Sequence, residues 1–445
     1  MDRRGVSTPI HFVASTNDDT PTRRTLRATG ASIVIPLDTA REFVLSTLVP
    51  LSSVEVPLSR ALGAVASSDV VAREAVPGFA NSSMDGFAVR SIDTSTGSSR
   101  LRIVGTVLAG DASRPHLNSG EAIRIMTGAP IPAGADSVCK IEETVVTPDG
   151  AIVAIERVVP HGENVRHAGD DVARGQALIG SGDVLTAARL GILAGQGYET
   201  VAVHRRPRVG VLSTGDELAG SAGPLAHGQI RDTNRPALLA LVQLSGFDAL
   251  DLGTVADDET AIRLKVKDAV ASCDAVVSTG GVSVGDVDYV KSVLGELYGE
   301  RSRSMQVAIK PGKPFTFATA AAPPKPFFAL AGNPVATLVG FELFVRPALR
   351  RLAGYRHLQR PTSLALLDCP LPRSRDGKIH LMHVTVAFGS DHRLHVKSAG
   401  RQGSHLLSAV TGANALAVVQ DGDGLDVGDE VDVLILDLDA LSLTP

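Results

Sequence analysis

The sequence predicts a multidomain α/β protein built around a doubly wound, mostly parallel sheet. Strand-like and helix-like segments alternate with short loops between residues 207 and 356, which is the pattern of such a sheet. Short β-rich runs separated by Gly, Pro and Asp lie on both sides of this region. The 445-residue length allows two to four domains at roughly 100–200 residues per domain.

Changes in pattern along the chain predict five segments. They are an N-terminal extension (1–35), a helical linker domain (36–69 and 172–206), a β-rich inserted domain (70–171), the doubly wound α/β domain (207–356) and a β-barrel-like C-terminal domain (357–445). Apolar residues at helical spacing predict one or two helices between Leu37 and Leu62, and another over Thr186–Ala194. The extension has no apolar segment of the kind found in secretory signals.

Composition limits the classes of protein. A hydrophobic fraction of 44% can form a sizeable core, and a net charge of -5 argues against a nucleic-acid-binding surface. No apolar run reaches the ~18 residues that a membrane span requires. Cys139, Cys273 and Cys369 lie far apart, which disfavours disulfides and thiolate zinc sites. We therefore expect a reducing compartment, the cytoplasm, with neither nucleic acid nor membrane as a partner.

The α/β domain is predicted in detail. Strands are expected at Val209–Leu212, Ala249–Leu252, Ala275–Ser278 and Phe327–Leu330. Helices are expected at Pro236–Leu244, Thr260–Ala271 and Val287–Leu297, and from Pro334 to about Gly354. Pro347 is expected to end or kink the last helix early.

Each predicted strand is followed by a loop of small and acidic residues. The four loops are Ser213–Glu217, Gly253–Asp258, Thr279–Asp288 and Ala331–Pro334. Because ligands bind beyond the carboxyl ends of parallel strands, these loops are expected to form one site. Glycine-rich loops that lead into helices suit phosphate, and nearby carboxylates then require a hard cation such as Mg²⁺. Lys310 and Lys313 would add positive charge. The pattern predicts a site for a phosphorylated anion with a metal.

Each motif also has a simpler interpretation. Any one of the acidic loops, taken alone, could be a helix cap. Three further turn-like stretches, 81–88, 126–130 and 166–171, lie in the predicted insertion, and each alone is more typical of a turn than of a site. His167 there is expected to be a solvated loop histidine. Only the combination of four loops at consecutive strand ends favours a ligand site.

The motifs, in this order, closely resemble the molybdopterin molybdenumtransferase family, which includes the C-terminal domain of gephyrin. The matching stretches are PGFANSSMDGFAV (from Pro77), MTGAPIPAGAD (from Met126), STGDEL (from Ser213), GQIRDTN (from Gly228), STGGVSVGDVDYVK (from Ser278), IKPGKP (from Ile309), AGNPVATLVGFELFVRP (from Ala331) and GRQGSHLLSAVTGANAL (from Gly400). The resemblance extends from about Pro36 to Leu436. It departs at Gln306, where members carry a basic residue, and at Ala331, where they usually carry proline.

The resemblance implies a four-domain homodimer that takes adenylated molybdopterin and molybdate. It would insert molybdenum with Mg²⁺-dependent release of AMP, at a site facing the partner's insertion, and would contact the adenylyltransferase of the same pathway. The implied catalytic residues are Asp85, Asp171, Glu217, Asp257 and Asp288, of which Glu217, Asp257 and Asp288 would hold the metal. The residues expected to bind the substrate are Thr127, Ser213, Gly215, Gly280, Gly281, Ser283, Lys310, Lys313, Gly332, Asn333, Pro334 and Ser404.

Two alternatives remain open from the sequence. One is an adenylyltransferase-like enzyme that shares the glycine-rich sheet domain, but such enzymes usually lack the MDG insertion and the β-rich C-terminal domain. The other is a non-catalytic scaffold with the same fold. Loss of the acidic residues would support a scaffold, and those residues are present.

Overall fold

A seven-stranded sheet forms the centre of the α/β domain in the computed structural model, which describes residues 34–111, 115–220, 222–281, 288–320 and 323–441. Its strands are β1 (Val34–Ile35), β2 (Arg208–Thr214), β3 (Asp248–Val255), β4 (Ala275–Thr279), β5 (Ser302–Val307), β6 (Pro314–Thr319) and β7 (Pro326–Leu330). Their order is β1-β5-β6-β7-β4-β2-β3, and only β6 runs antiparallel to its neighbours. The mostly parallel sheet is confirmed, whereas β5 and β6 were not predicted, and neither was β1, which had been placed in the N-terminal extension.

Helices cover both faces of this sheet, as the doubly wound prediction requires. They are α1 (Leu37–Ser46), α2 (Asn234–Leu244), α3 (Glu259–Ser272), α4 (Tyr289–Tyr298), α5 (Pro334–Gly340) and α6 (Arg346–Leu352). One face buries α1, α2, α5 and α6, and the other buries α3 and α4. Helix α1 was expected in the linker domain, but Leu37, Ala40 and Val44 lie in the α/β core.

The last helical segment continues past its proline. A π-helical stretch, Phe341–Val345, joins α5 to α6, and Pro347 lies in the first turn of α6. Because helical residues precede it without a break, Pro347 lies inside a continuous helical segment, where its missing N–H removes one backbone hydrogen bond just after the π-helical stretch. The expectation that Pro347 would end this segment early was wrong, since α6 continues to Leu352, while the π-helical stretch before it is an irregularity of the kind that accompanies a kink.

The linker domain contains more strand than expected. Ser53–Pro57 pairs with Thr200–His204, and Val70–Val71 pairs with Ala177–Ile179. Only a short 3₁₀ turn, Leu58–Arg60, is helical in the second half of the segment where one or two helices were predicted. Valines alternate with polar residues there, which is the two-residue period of a strand. The other predicted helix is confirmed as Ala187–Gly195.

The inserted domain is β-rich, as predicted. Its sheet contains Ser137–Lys140, Gly86–Val89, Glu121–Ile125, Ser99–Val107, Ile152–Ile155 and Thr144–Val146, in that order. A hydrophobic cluster lies on each face of this sheet. Asn81–Ser82 pairs with Val165–Arg166, so two of the turn-like stretches are joined. Gln196 of the linker domain accepts hydrogen bonds from the backbone N–H groups of Arg73 and Glu74 and donates one to the Glu74 carbonyl, which ties the two domains together.

The C-terminal strands close into a small barrel, as predicted. Its order is Ile379–Phe388, Leu394–Ser398, Thr362–Leu367, Glu430–Ile435 and Ala415–Val419, and the last strand pairs with the first. Leu371–Pro372 and Gly424–Leu425 form a separate short pair. Ile309–Lys310, which follows β5, adds to the barrel strand Ile379–Phe388. Within the described residues, no helix combines the length and apolar character needed to cross a membrane.

Candidate functional site

The loops at the ends of four parallel strands meet around one cavity of about 250 Å³. It is lined by Thr214, Gly215, Glu217, Asp257, Gly280, Gly281, Pro314, Ala331, Gly332 and Asn333. These residues come from the ends of β2, β3, β4 and β7 and from the start of β6. The prediction that distant loops converge at one sheet edge is therefore confirmed. We call this space the strand-end cavity.

Two consecutive glycines let the backbone approach closely at this cavity. Gly280 has a φ of +92°, and a Cβ there would lie 2.4 Å from the carbonyl oxygen of Thr214. Gly281 has a φ of +66°, and a Cβ there would lie 2.6 Å from Val290. The Gly280 backbone also faces Gly332. Side chains are excluded from this turn, so the cavity has a backbone floor that a ligand can approach.

Acidic side chains gather at one end of the strand-end cavity. Burial raises the pKa of Asp257, and the charges of Asp216 and Glu217 raise it further. The backbone N–H of Asp257 donates to Asp216 at 3.0 Å. The next residue, Asp258, caps α3, so Asp257 itself is not the helix cap. Mutually repelling carboxylates at a cavity favour a bound cation.

Asp288 combines a structural contact with an unused oxygen. It caps α4 by accepting from the backbone N–H of Lys291 at 3.2 Å, as the simpler interpretation expected. Its second oxygen, Oδ2, is buried and has no hydrogen-bond partner among the residues that the structure describes. Burial raises the pKa of Asp288 to about 6, and Asp257 adds to the rise. A buried, unpartnered carboxylate oxygen is chemically suited to a cation.

These carboxylates fit Mg²⁺ as a site that substrate oxygens complete. Within the described ranges, no three Asp, Glu, His or Cys side chains form a ready-made ion site. Mg²⁺ usually binds through one or two carboxylates together with waters and phosphate oxygens, so a full protein cage is not needed. Ser283, which was expected nearby, lies outside the described residues.

A polar network that the sequence interpretation missed holds these loops together. The amide of Asn234 donates to Thr279 Oγ1 at 2.8 Å and to the Gly332 carbonyl at 2.7 Å. Ser213, which was expected to bind substrate, is fully buried, donates to Asp232 at 2.7 Å and does not line the cavity. The sequence signal was the polar GQIRDTN stretch just before an apolar helix.

A second, larger cavity of about 570 Å³ lies between the α/β domain and the barrel, and we call it the basic cavity. Its polar lining consists of Lys310, Lys313, Asn333, Arg373, Ser374, Lys378, His380, Gln402 and Ser404. It shares Pro314, Ala331 and Asn333 with the strand-end cavity. The predicted lysines and Ser404 are therefore brought together, whereas Pro334 begins α5 and lines neither cavity.

Cross-domain strand pairing places the barrel residues here. Lys310 pairs in register with His380, which brings the PGKP loop against the loop before the barrel strand. Arg373, Asp376 and Lys378 come from that loop and were not singled out from the sequence. Gln306 does not line the basic cavity. It lies in β5, and its buried amide oxygen has no partner in the described part of the chain.

The predicted residues of the inserted domain form a separate pair. Asp85 accepts hydrogen bonds from the backbone N–H of Thr127 at 2.7 Å and from its hydroxyl at 2.8 Å. These bonds lower the pKa of Asp85. Asp171 is exposed in a turn, where its backbone N–H donates to Val76. His167 is exposed, as expected of a solvated loop residue.

Comparisons with known proteins agree with this arrangement. The MoeA N-terminal region (domain I and II) matches residues 35–197, the probable molybdopterin binding domain matches 210–351, and the MoeA C-terminal region (domain IV) matches 373–436. The molybdopterin molybdenumtransferase of Haemophilus influenzae is 35% identical over 392 residues, which cover 88% of this chain and 96% of the relative. That of a Nostoc species is 37% identical over 394 residues, which cover 86% and 88%.

A solved structure agrees as well. The molybdopterin biosynthesis MoeA protein from Pyrococcus horikosii superposes with a TM-score of 0.77 at 30% identity, over 91% of this chain and all of that one. The match therefore includes the linker, inserted, α/β and barrel domains together. The chain belongs to the MoeA family of molybdopterin molybdenumtransferases.

Proposed function

We propose that this chain is a molybdopterin molybdenumtransferase. It would insert molybdenum from molybdate into adenylated molybdopterin and release AMP in a Mg²⁺-dependent step. The observation that carries the proposal is the adjacency of two unlike cavities. The strand-end cavity bears carboxylates and exposed glycine backbone, and the basic cavity bears lysines. They share Ala331 and Asn333, so ligands in the two would be close neighbours.

The adenylate end is assigned to the strand-end cavity. The backbone at Gly280, Gly281 and Gly332 can approach phosphate oxygens because these residues carry no side chain, and Gly215 lies beside the Glu217 carboxylate. Glu217, Asp257 and Asp288 would hold Mg²⁺. When bound, the ion would neutralise the phosphates and polarise the bond that releases AMP. The glycine-bearing loops would orient the substrate. The three carboxylates would lie at the end of the site away from the lysines of the basic cavity.

The molybdate end is assigned to the basic cavity. Lys310, Lys313 and Lys378 supply positive charge, and Ser404 can donate a hydrogen bond. Flanking prolines restrict the loop that carries the two PGKP lysines. If molybdate is held beside the pterin, its reaction with the pterin becomes effectively unimolecular instead of bimolecular, which lowers the entropic cost.

The Asp85–Thr127 pair is assigned to the site of a partner subunit. It lies in the inserted domain, which hydrogen-bonds to the linker domain through Gln196. A homodimer would let one subunit's Asp85, with Asp171, face the other subunit's strand-end cavity. We also propose contact with the adenylyltransferase that makes the substrate. The three cysteines are free, which suits the reducing cytoplasm.

The test is incubation of the purified chain with adenylated molybdopterin, Mg²⁺ and molybdate. AMP release and formation of molybdenum cofactor are expected, and omission of Mg²⁺ should prevent AMP release. As a control, the variant Glu259→Gln should release AMP like the wild type. Glu259 is an acid at the start of α3 that pairs with Arg263. No AMP release and no cofactor from the wild-type chain would remove the assignment.

A further inference from the structure

Asp376 does not itself line the basic cavity, but its carboxylate faces four side chains that do. Its oxygens lie 3.1 Å from Lys378 Nζ, 3.1 Å from Arg373 NH2 and 3.1 Å from His380 Nε2. Lys310 Nζ lies farther away, at 4.0 Å. One acidic side chain thus contacts cationic groups from both the PGKP loop and the barrel.

The contact with Lys310 is loose. A separation of 4.0 Å exceeds hydrogen-bond length, and the Lys310 side chain is 62% exposed. The ammonium group can therefore turn towards another anion without losing a hydrogen bond to Asp376. Lys378, at 3.1 Å, is held more closely.

The charges at this cavity leave room for a doubly charged anion. Lys310, Lys313, Arg373 and Lys378 carry four positive charges, while Asp376 and Asp421, which pairs with Arg373, carry two negative charges. Burial lowers the pKa of His380, so it is neutral at pH 7. This excess of two positive charges would balance the double negative charge of a tetrahedral oxyanion such as molybdate.

The Asp376 carboxylate stays ionised in this setting. Burial opposes ionisation, but hydrogen bonds from Lys378 and His380 hold the pKa of Asp376 at about 2. It is therefore an anion at any working pH. A fixed anion repels a second one at short range, and this repulsion weakens every oxyanion that enters the cavity.

We propose that Asp376 is an internal counter-anion that weakens resting oxyanion binding in the basic cavity, so that the oxyanion can leave for the pterin. The inference rests on the proposed function, because it assumes that this cavity holds molybdate. Tight ground-state binding without matching transition-state binding slows turnover. Asp376 would not contact the oxyanion. It would reduce the positive electrostatic potential that Lys310 and Lys378 present to the oxyanion, so it is a positioning residue.

The test compares molybdate binding and turnover in Asp376→Asn, Asp376→Ser and Asp376→Glu. Isothermal titration at low salt should show a molybdate Kd about tenfold lower for the two neutral variants, as expected for loss of one nearby charge. Their kcat for molybdenum insertion should fall while KM for molybdate also falls. Asp376→Glu should restore wild-type values. Sulfate serves as a second probe and should follow the same order of affinity.

Asp423→Asn is the matched control. This substitution also removes one negative charge near the barrel, but Asp423 pairs with the exposed Arg375, which does not line the basic cavity, whereas the partners of Asp376 do. It should change the molybdate Kd by less than about twofold. An unchanged or higher Kd in Asp376→Asn, in an active wild-type background, would overturn the proposal. So would failure of both neutral variants to fold, since Asp376 would then be structural. A wild-type chain that makes no AMP and binds no molybdate would instead refute the proposed function.

Discussion

Asn234 bridges two loops of the strand-end cavity, because its amide nitrogen lies 2.7 Å from the carbonyl oxygen of Gly332 and 2.8 Å from Thr279 Oγ1. The Gly332 loop follows β7, and Thr279 ends β4. One side chain therefore sets the distance between two glycine-bearing turns. Those turns provide the backbone that we assign to the adenylate.

Asn234→Ala should loosen this spacing. We expect a stability loss of about 1 kcal/mol from two lost hydrogen bonds, together with a raised KM for adenylated molybdopterin. Steady-state AMP release and thermal unfolding check the two effects. Gln243→Ala, on the exposed side of the same helix, is the control. Equal KM values in the two variants would show that the bridge does not position substrate.

Gly280→Ala should be more harmful than Gly253→Ala. Both glycines have positive φ, so alanine should cost roughly 1 kcal/mol at each. Nothing lies within 4 Å of a Cβ at Gly253, whereas one at Gly280 would lie 2.4 Å from the Thr214 carbonyl. We expect Gly253→Ala to keep its AMP release and Gly280→Ala to lose both AMP release and further stability. Similar behaviour of the two would contradict the close-approach argument.

Asp288→Asn should stabilise the metal-free protein at alkaline pH. Burial raises the pKa of Asp288 to about 6, so the folded state binds the proton more tightly than the unfolded state does. The stability from that proton is present at low pH and is lost as the pH rises through 6. We expect the Tm at pH 8 to rise by roughly 2–4 °C, with little change at pH 5.

The same variant should lose AMP release, because the buried oxygen is assigned to the metal. Asp258→Asn is the control, since Asp258 caps α3 with the same type of hydrogen bond. A lower Tm for Asp288→Asn at pH 8 would mean that its cap outweighs its buried charge. Thermal unfolding in the presence of EDTA makes this comparison.

Mixing two inactive variants tests the shared site. In the proposed dimer, Asp85→Asn and Asp288→Asn disable opposite sides, so each mixed dimer would keep one intact site. After subunit exchange, about a quarter of wild-type AMP release should return for random pairing. Asp85→Asn mixed with Thr127→Val should not recover, because both lie on one side. No recovery in the first mixture, with mixed dimers present, would place the complete site within one chain.

Local pattern was enough to predict the α/β sheet and its loops. Strands such as Ala275–Thr279 are continuous buried runs, and Gly and Asp follow them directly. Parallel topology then makes the loops converge, so Gly280 and Asp257 could be placed together. Their exact contacts, including the one from Asn234, depend on side-chain geometry that no spacing rule supplies.

The basic cavity was predicted only in part. Lys310 and Lys313 stand out in their proline-rich loop, but Asp376 and Lys378 lie in a loop of the barrel more than sixty residues later. What joins them is a two-residue strand pairing, Lys310 with His380, and such short pairings leave no periodic signal. The strand Ser53–Pro57 was misassigned for a related reason, because it is a short alternating stretch after a true helix.

The most direct test of the central claim is the Mg²⁺ dependence of AMP release from adenylated molybdopterin in the double variant Glu217→Gln/Asp257→Asn. Both carboxylates lie at the strand-end cavity, and Glu217 raises the pKa of Asp257. We expect a Mg²⁺ requirement at least tenfold higher than that of the wild type, or no release at all. A Mg²⁺ titration that coincides with the wild-type curve would contradict the account.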